Sequence, residues 1–223
     1  MTSRSSRDSG QAFPIYITVV AGLLFLAFAY FAVGQAAATR NGAQTAADAA
    51  ALAAAQDARE QLRTGWLEVI LNPAEWEDFL EGRRFGEYTA CRKAEDFAAR
   101  NDAEVVKPLD CRSLPGAGEQ GFTVKVRTRG TVGESVVPGT ETKHATAKAK
   151  AVIKPRCTFD EPEPEPEETG EPDPGETGKP DPDEDKDEKP ILGLSCDGVP
   201  WDIDPKHPNL PSAADLFTVR LAD

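Results

Sequence analysis

Residues Gln11 to Gly34 read Q-A-F-P-I-Y-I-T-V-V-A-G-L-L-F-L-A-F-A-Y-F-A-V-G, a run without a charged side chain. With Pro14 at the first helical position, where a missing N–H is harmless, residues 14–34 form a helix about 31 Å long at roughly 1.5 Å per residue. That length crosses a bilayer core of about 30 Å. Beyond Gly34 the helical pattern continues, because alanine, the strongest helix former, dominates from Ala36 to Ala58 while Asp48, Gln56 and Asp57 punctuate it. The reading is one continuous rod, a transmembrane helix over 14–34 and a helix extension over 35–71. Its water-exposed part, to about Arg63, projects on the order of 40 Å. A secretory signal has a shorter apolar core of about 7 to 15 residues, although Ala36 and Ala38 mimic its cleavage site. A buried core helix fails because no other segment is apolar enough to surround it.

The chain has 223 residues, 39% of them hydrophobic, and a net charge of −13. The acidity is local: between Asp160 and Pro190 lie 15 acidic and 3 basic residues, which accounts for −12 of that charge. Arg4 and Arg7 precede the apolar run and Arg40 stands alone after it, a weak bias that places the N-terminus in the cytoplasm and the rest outside. Cys91, Cys111, Cys157 and Cys196 all fall on that outer side, even in number and never at C-x-x-C spacing. They fit two disulfides in an oxidising exterior, with three connectivities open. The expected pairs are Cys91–Cys111, stapling a helix to the loop after it, and Cys157–Cys196, returning the tail to the domain. Each cross-link stabilises by roughly 3 to 4 kcal/mol in the chain-entropy account. The two histidines, His144 and His207, are too isolated to complete a zinc site.

Small residues recur at every fourth position along the rod: Gly34, Ala38, Gly42, Ala46, Ala50, Ala54 and Ala58. Residues four apart stack on nearly one face, which lets a helix or sheet approach closely. Alanine is so abundant here that the spacing also follows from composition alone. Leu62, Trp66, Leu67, Ile70 and Leu71 close the rod, and Asn72-Pro73 with Glu75 has the pattern of a capping box for a helix to Leu80. Tyr88 to Arg100 places Cys91, Ala94, Phe97 and Ala98 at helical spacing. From Gly121 the period becomes two. Phe122, Val124 and Val126 mark one strand, and Ala145 to Ile153 a second, although alanine alternating with lysine also suits a helix. Pro138-Gly139 turns the chain between them.

The domain expected over 35–157 then gives way to an acidic, Pro-rich linker over 158–190, too poor in apolar side chains to fold. The tail, 191–223, regains Leu192, Trp201, Leu216, Phe217, Val219 and Leu221 and is expected to dock on the domain, with Leu216 to Leu221 as a strand. The fold class is α+β: a single N-terminal transmembrane helix continuing into a long alanine-rich helix, packed with a small antiparallel sheet, plus a disordered linker.

Chemical motifs are weak. Gly116, Gly118 and Gly121 spell G-x-G-x-x-G, but a strand follows where a dinucleotide site needs a helix. Asp181, Asp183 and Asp185 begin like a calcium loop, yet Lys186 takes the glycine position and Leu192 the glutamate position. No nucleophile, base or metal set converges, so no cofactor, no metal and no catalysis are expected. The acidic linker argues against nucleic acid as a partner.

Arg7 to Tyr16, R-D-S-G-Q-A-F-P-I-Y, the uncharged span, and Thr45 to Ala55, T-A-A-D-A-A-A-L-A-A-A, together resemble the N-terminal region of TadE/TadG-like proteins of actinobacterial type. The resemblance covers about the first 60 residues. It implies a cytoplasmic leader, here 1–13, one membrane helix and an extracytoplasmic α+β domain with pilin-like packing, used in assembly of a tight-adherence (Flp) pilus or secretion system. The implied partners are the membrane and other pilus or secretion components, with a homo-oligomer as a further option. Prepilin-type relatives carry a glycine at the cleavage point and a glutamate five residues later. Gly10 fills the first role, whereas Ile15 stands in the second, which favours an anchored assembly component over a processed filament subunit. The alternative is an anchored cell-surface module whose linker presents the tail to a ligand or cell wall.

Overall fold

The computed structural model describes residues 12–106, 110–114, 119–133, 139, 141–160, 190–204 and 209–222. The leader before Ala12, Gly116 and Gly118, Pro138, the acidic residues 161–189 with Asp181, Asp183 and Asp185, and His207 lie outside the described residues, as do the expectations made for them.

The rod is one unbroken helix, α1 (Ala12–Glu68). It stops three residues short of the expected Leu71, where the Asn72 N–H donates to Val69 O at 2.8 Å in a turn ahead of Pro73. The Asn72 capping box does not form. Asn72 sits at φ −124°, ψ 80°, its side chain accepts no backbone N–H, and its amide donates instead to the Glu75 carboxylate at 2.6 Å. A 3₁₀ turn over Pro73–Glu75 leads into α2 (Trp76–Leu80).

Helix α3 (Glu87–Arg100) lies beside α1 on one face of a five-stranded antiparallel sheet. Its start is locked by Gln61 of α1, whose Oε1 accepts from the Gly86 N–H at 2.7 Å and whose Nε2 donates to Thr89 Oγ1 at 2.7 Å. The strands are β1 (Ala103–Val105), β2 (Cys111–Ser113), β3 (Gln120–Thr131) and β4 (His144–Pro155), joined by β8 (Phe217–Ala222) from the tail. Their order is β1–β3–β4–β8, with β2 beside β1 on β3.

The alanine-and-lysine segment resolves as strand β4 because its alternation matches its neighbour's. Phe122 faces Ala151, Val124 faces Ala149 and Val126 faces Ala147, so large side chains on β3 are met by small ones on β4. These pairs bury one face against α1 while lysines occupy the other. Both disulfides have the expected connectivity, Cys91–Cys111 with Cα atoms 5.8 Å apart and Cys157–Cys196 with Cα atoms 3.9 Å apart.

A second sheet is built from β5 (Cys157–Phe159), β6 (Ile191–Cys196) and β7 (Val199–Ile203). Thr158 and Phe159, which the sequence reading assigned to the linker, therefore belong to the fold. The Phe159 ring lies 4.8 Å from Trp76, which lies 5.2 Å from Trp66 of α1, so Phe159 extends the core. The β6–β7 hairpin turns on Asp197-Gly198 at φ 51° and 79°, the Asp-Gly signature of a two-residue hairpin. A short helix, α4 (Ala213–Leu216), opens with a true capping box between Ser212 and Asp215 and delivers the tail to β8.

Gly121 sits at φ +150°, and a Cβ there would lie 2.1 Å from the Ala151 carbonyl oxygen. Gly121→Ala is expected to destabilise by more than about 2 kcal/mol, while Gly130→Ala, with open space around it, stays within about 0.5 kcal/mol. Chemical denaturation of both variants checks this.

The Glu87 carboxylate accepts from the Ser113 hydroxyl and from the Ser113 N–H, the latter at 2.8 Å, tying α3 to β2 beside the first disulfide. These bonds hold its carboxyl below the ordinary value of 4.5. A lowered carboxylate stabilises the fold above its unfolded-state value and loses that contribution as pH falls through the folded one. The stability gap between parent and Glu87→Gln is therefore expected to be widest near neutrality and to shrink below pH 4.5, read from thermal melts across acidic pH.

Candidate assembly surface

Among the described residues, nothing packs across α1 from Phe13 to Phe31. From Phe13 to Val33 its large side chains are exposed all round the helix, Phe13 at 72% and Tyr30 at 84%, and Arg40 is the first charge along α1. It is the one helix among the described residues long and apolar enough to cross a membrane. Its threonine hydroxyls turn inward, Thr18 donating to Pro14 O at 2.9 Å and Thr39 to Gln35 O at 3.1 Å. A helix apolar on every side, with its threonine hydroxyls satisfied internally, suits lipid.

Burial starts at Ala43 and continues to Trp66. The seven small residues are split by it. Ala46, Ala50, Ala54 and Ala58 are fully buried within the domain, whereas Gly34, Ala38 and Gly42 are exposed, with nothing within 4 Å of a Cβ at either glycine. The buried face is also broader than one stripe, taking in Ala47, Ala51, Ala55 and Ala53. Steps of four residues drift by roughly 40° on a helix of 3.6 residues per turn, so contact with both α3 and the sheet uses adjacent stripes. Partner surfaces are small too: Ala90, Ala94 and Ala98 of α3 and Ala149 and Ala151 of β4 are buried.

Between the exposed and buried halves, an open cleft runs along α1 and β4, lined by Val33, Ala37, Arg40 and Gln44 on the helix and Thr146 and Ala147 on the strand. Beside it the edge of β4 from His144 to Ala149 has no strand partner among the described residues, since β8 pairs only with Lys150 to Pro155. Among the described residues no three histidine, cysteine or acidic side chains converge to hold a metal.

Residues 10–57 match the family model described as putative Flp pilus-assembly TadE/G-like. The N-terminal region is thus TadE/TadG-like, and the match takes in the exposed apolar half of α1 together with its buried alanine part as far as Asp57. Neither the curated proteins nor the solved structures contain a match to the chain.

Ala50→Leu must add volume where no space exists, and is expected to cost about 1 to 3 kcal/mol. Ala53, off the four-residue spacing, is itself only 5% exposed, so burial is not confined to that spacing. Gln56 is exposed, and Gln56→Leu is expected to stay within about 0.5 kcal/mol, as denaturant melts of the two variants will show.

Proposed function

We propose that this protein is a membrane-anchored, extracytoplasmic assembly component of a Tad (Flp-type) pilus or a related secretion system, structural and not catalytic. The observation that carries the reading is the coincidence of the TadE/G-like match with a helix that is apolar on every side until it enters its own domain. The N-terminus lies in the cytoplasm and the two sheets outside, an orientation supported by Arg4 and Arg7 ahead of the span and by both disulfides after it.

The exposed small residues Gly34, at the end of the span, and Ala38 and Gly42 just past it serve as the approach face for a partner's helix. The reading of a tail held out on a linker has less support. Phe217 is buried, β8 pairs with β4, and Arg63 Nε donates to the Pro211 carbonyl at 2.8 Å, so the tail is part of the domain.

Because Ile15 replaces the acidic residue of processed prepilins, protein purified from membranes is expected to retain its leader by intact mass. A mature N-terminus at Gln11 would replace the assembly-component reading with that of a processed pseudopilin. Ala38→Leu, on the exposed stretch, is expected to leave stability within about 0.5 kcal/mol of the parent while reducing co-purification of other pilus or secretion proteins. Unchanged co-purification would remove this face from the contact surface.

A further inference from the structure

The five-stranded sheet buries one face against α1 and α3, and on the other, apart from the buried Val152, the side chains of β3 and β4 are exposed or half-buried. That open face is basic. Lys125, Arg127 and Arg129 project from β3, and Lys148, Lys150 and Lys154 from β4. Arg112 on β2 and Arg220 on β8 widen it. Two carboxylates answer them, Glu104 to Arg127 at 2.5 Å and Glu119 to Lys150 at 2.6 Å, and Asp110 precedes β2 nearby. Lys154 and Arg220 also feel the Glu119 carboxylate and Arg129 that of Glu104, without a direct ion pair, while Lys125, Lys148 and Arg112 have no ion-pair partner among the described residues.

Lys125 also stands directly opposite Lys148 in the ladder, a like-charge pairing that weakens a sheet unless something offsets it. Lysine on a strand edge guards against mispairing, which accounts for Lys148 on the partly open β4. It does not account for Lys125, Arg127 and Arg129, because β3 has neighbours on both sides.

The complement is in the same chain. Residues 161–189 hold 14 acidic and 3 basic side chains. They connect β5 to β6, neighbouring strands closed by Cys157–Cys196 and by the Asp160 N–H donating to Gly193 O at 3.0 Å. β5 begins two residues after β4 ends, and the segment leaves after Asp160, which shares a cleft with Pro155 and with Ala74 and Glu77 on the helix side, so the path to Lys154 on the other face runs around the end of the sheet. Pinned at both ends, a 29-residue segment reaches roughly 45 Å at about 3.3 Å per residue. From Lys154 to Arg129 the basic face spans roughly 30 Å.

We propose that the open face of the five-stranded sheet is the docking surface of this chain's own acidic segment, residues 161–189. Each pair is weak at an exposed surface, but tethering holds the acid at a local concentration on the order of millimolar, so several weak pairs act together. The contact is electrostatic and fades as salt shortens the Debye length from about 8 Å at physiological ionic strength to about 3 Å at 1 M. Nothing in it depends on which assembly the anchor serves.

The test uses the full chain in detergent, prepared as a mixture of normal and heavy-isotope copies and treated with a zero-length carbodiimide. Cross-links from Lys125, Lys148 or Lys154 to the carboxylates of residues 161–189 are expected within single copies, and to vanish near 1 M salt. In parallel, the acidic residues of 161–189 are replaced by their amides at unchanged length, outside the described fold. Acetylation of Lys125 and Lys148 is expected to run roughly threefold faster in that variant than in the parent at low salt. Cross-links joining light to heavy copies would move the contact to a second molecule and overturn the proposal. Equal acetylation rates with no cross-links would overturn it as well, leaving the face to an external anionic partner.

Discussion

Everything in the folded part depends on how closely α1 is allowed to sit against its neighbours. The contact is made of alanine on all three surfaces: Ala46 to Ala58 on α1, Ala90, Ala94 and Ala98 on α3, and Ala149 and Ala151 on β4. Small side chains bring backbones together and spread the gain over many dispersion contacts, since no single methyl group buries much area. The aromatic residues are reserved for the far end. There Trp66, Trp76 and Phe159 form a chain of ring contacts that joins α1, α2 and β5, and Leu62, Leu80 and Phe217 are buried in the same core. A helix seated on alanine is positioned by shape more than by bulk, so added volume is felt at once.

The same helix does two jobs along its length. No break separates the apolar stretch from the domain, so orientation of the domain relative to that stretch is carried by an unbroken ladder of backbone hydrogen bonds. Between Gly34 and Ala43 the helix is neither lipid-like in composition nor covered by the domain, a neck of roughly 13 Å at 1.5 Å per residue. A partner that grips this neck would act on a rigid lever. That is a mechanical reason for an assembly component to keep the neck small and helical.

Topology places the acidic segment differently from a terminal linker. It is an excursion between β5 and β6, and the disulfide across those strands keeps its two ends together whatever happens along it. The tail beyond it supplies β8 to the main sheet and the Ser212–Asp215 cap that turns the chain into it. Removing the tail would therefore open the β4 edge from Lys150 to Pro155 and take the buried Leu216 and Phe217 out of the core, so the C-terminal strand is structural.

What the sequence determined by itself was whatever rests on local periodicity and composition. The uncharged run, the alanine-rich continuation, the α3 spacing and the alternation of Phe122, Val124 and Val126 each fix an element through backbone preference and one-dimensional pattern. The TadE/TadG likeness was also written there, in the first 60 residues. The tertiary structure decided what pattern leaves degenerate. Alanine alternating with lysine became a strand only because β3 offered a matching register, and the small residues at every fourth position divided into buried Ala46 to Ala58 and exposed Gly34 to Gly42 only where the domain begins. Phe159 joined the core because Trp76 lies beside it, a long-range contact with no local signature. The basic face has the same origin: its cations are scattered over four strands, and pairing in the sheet alone brings them onto one side.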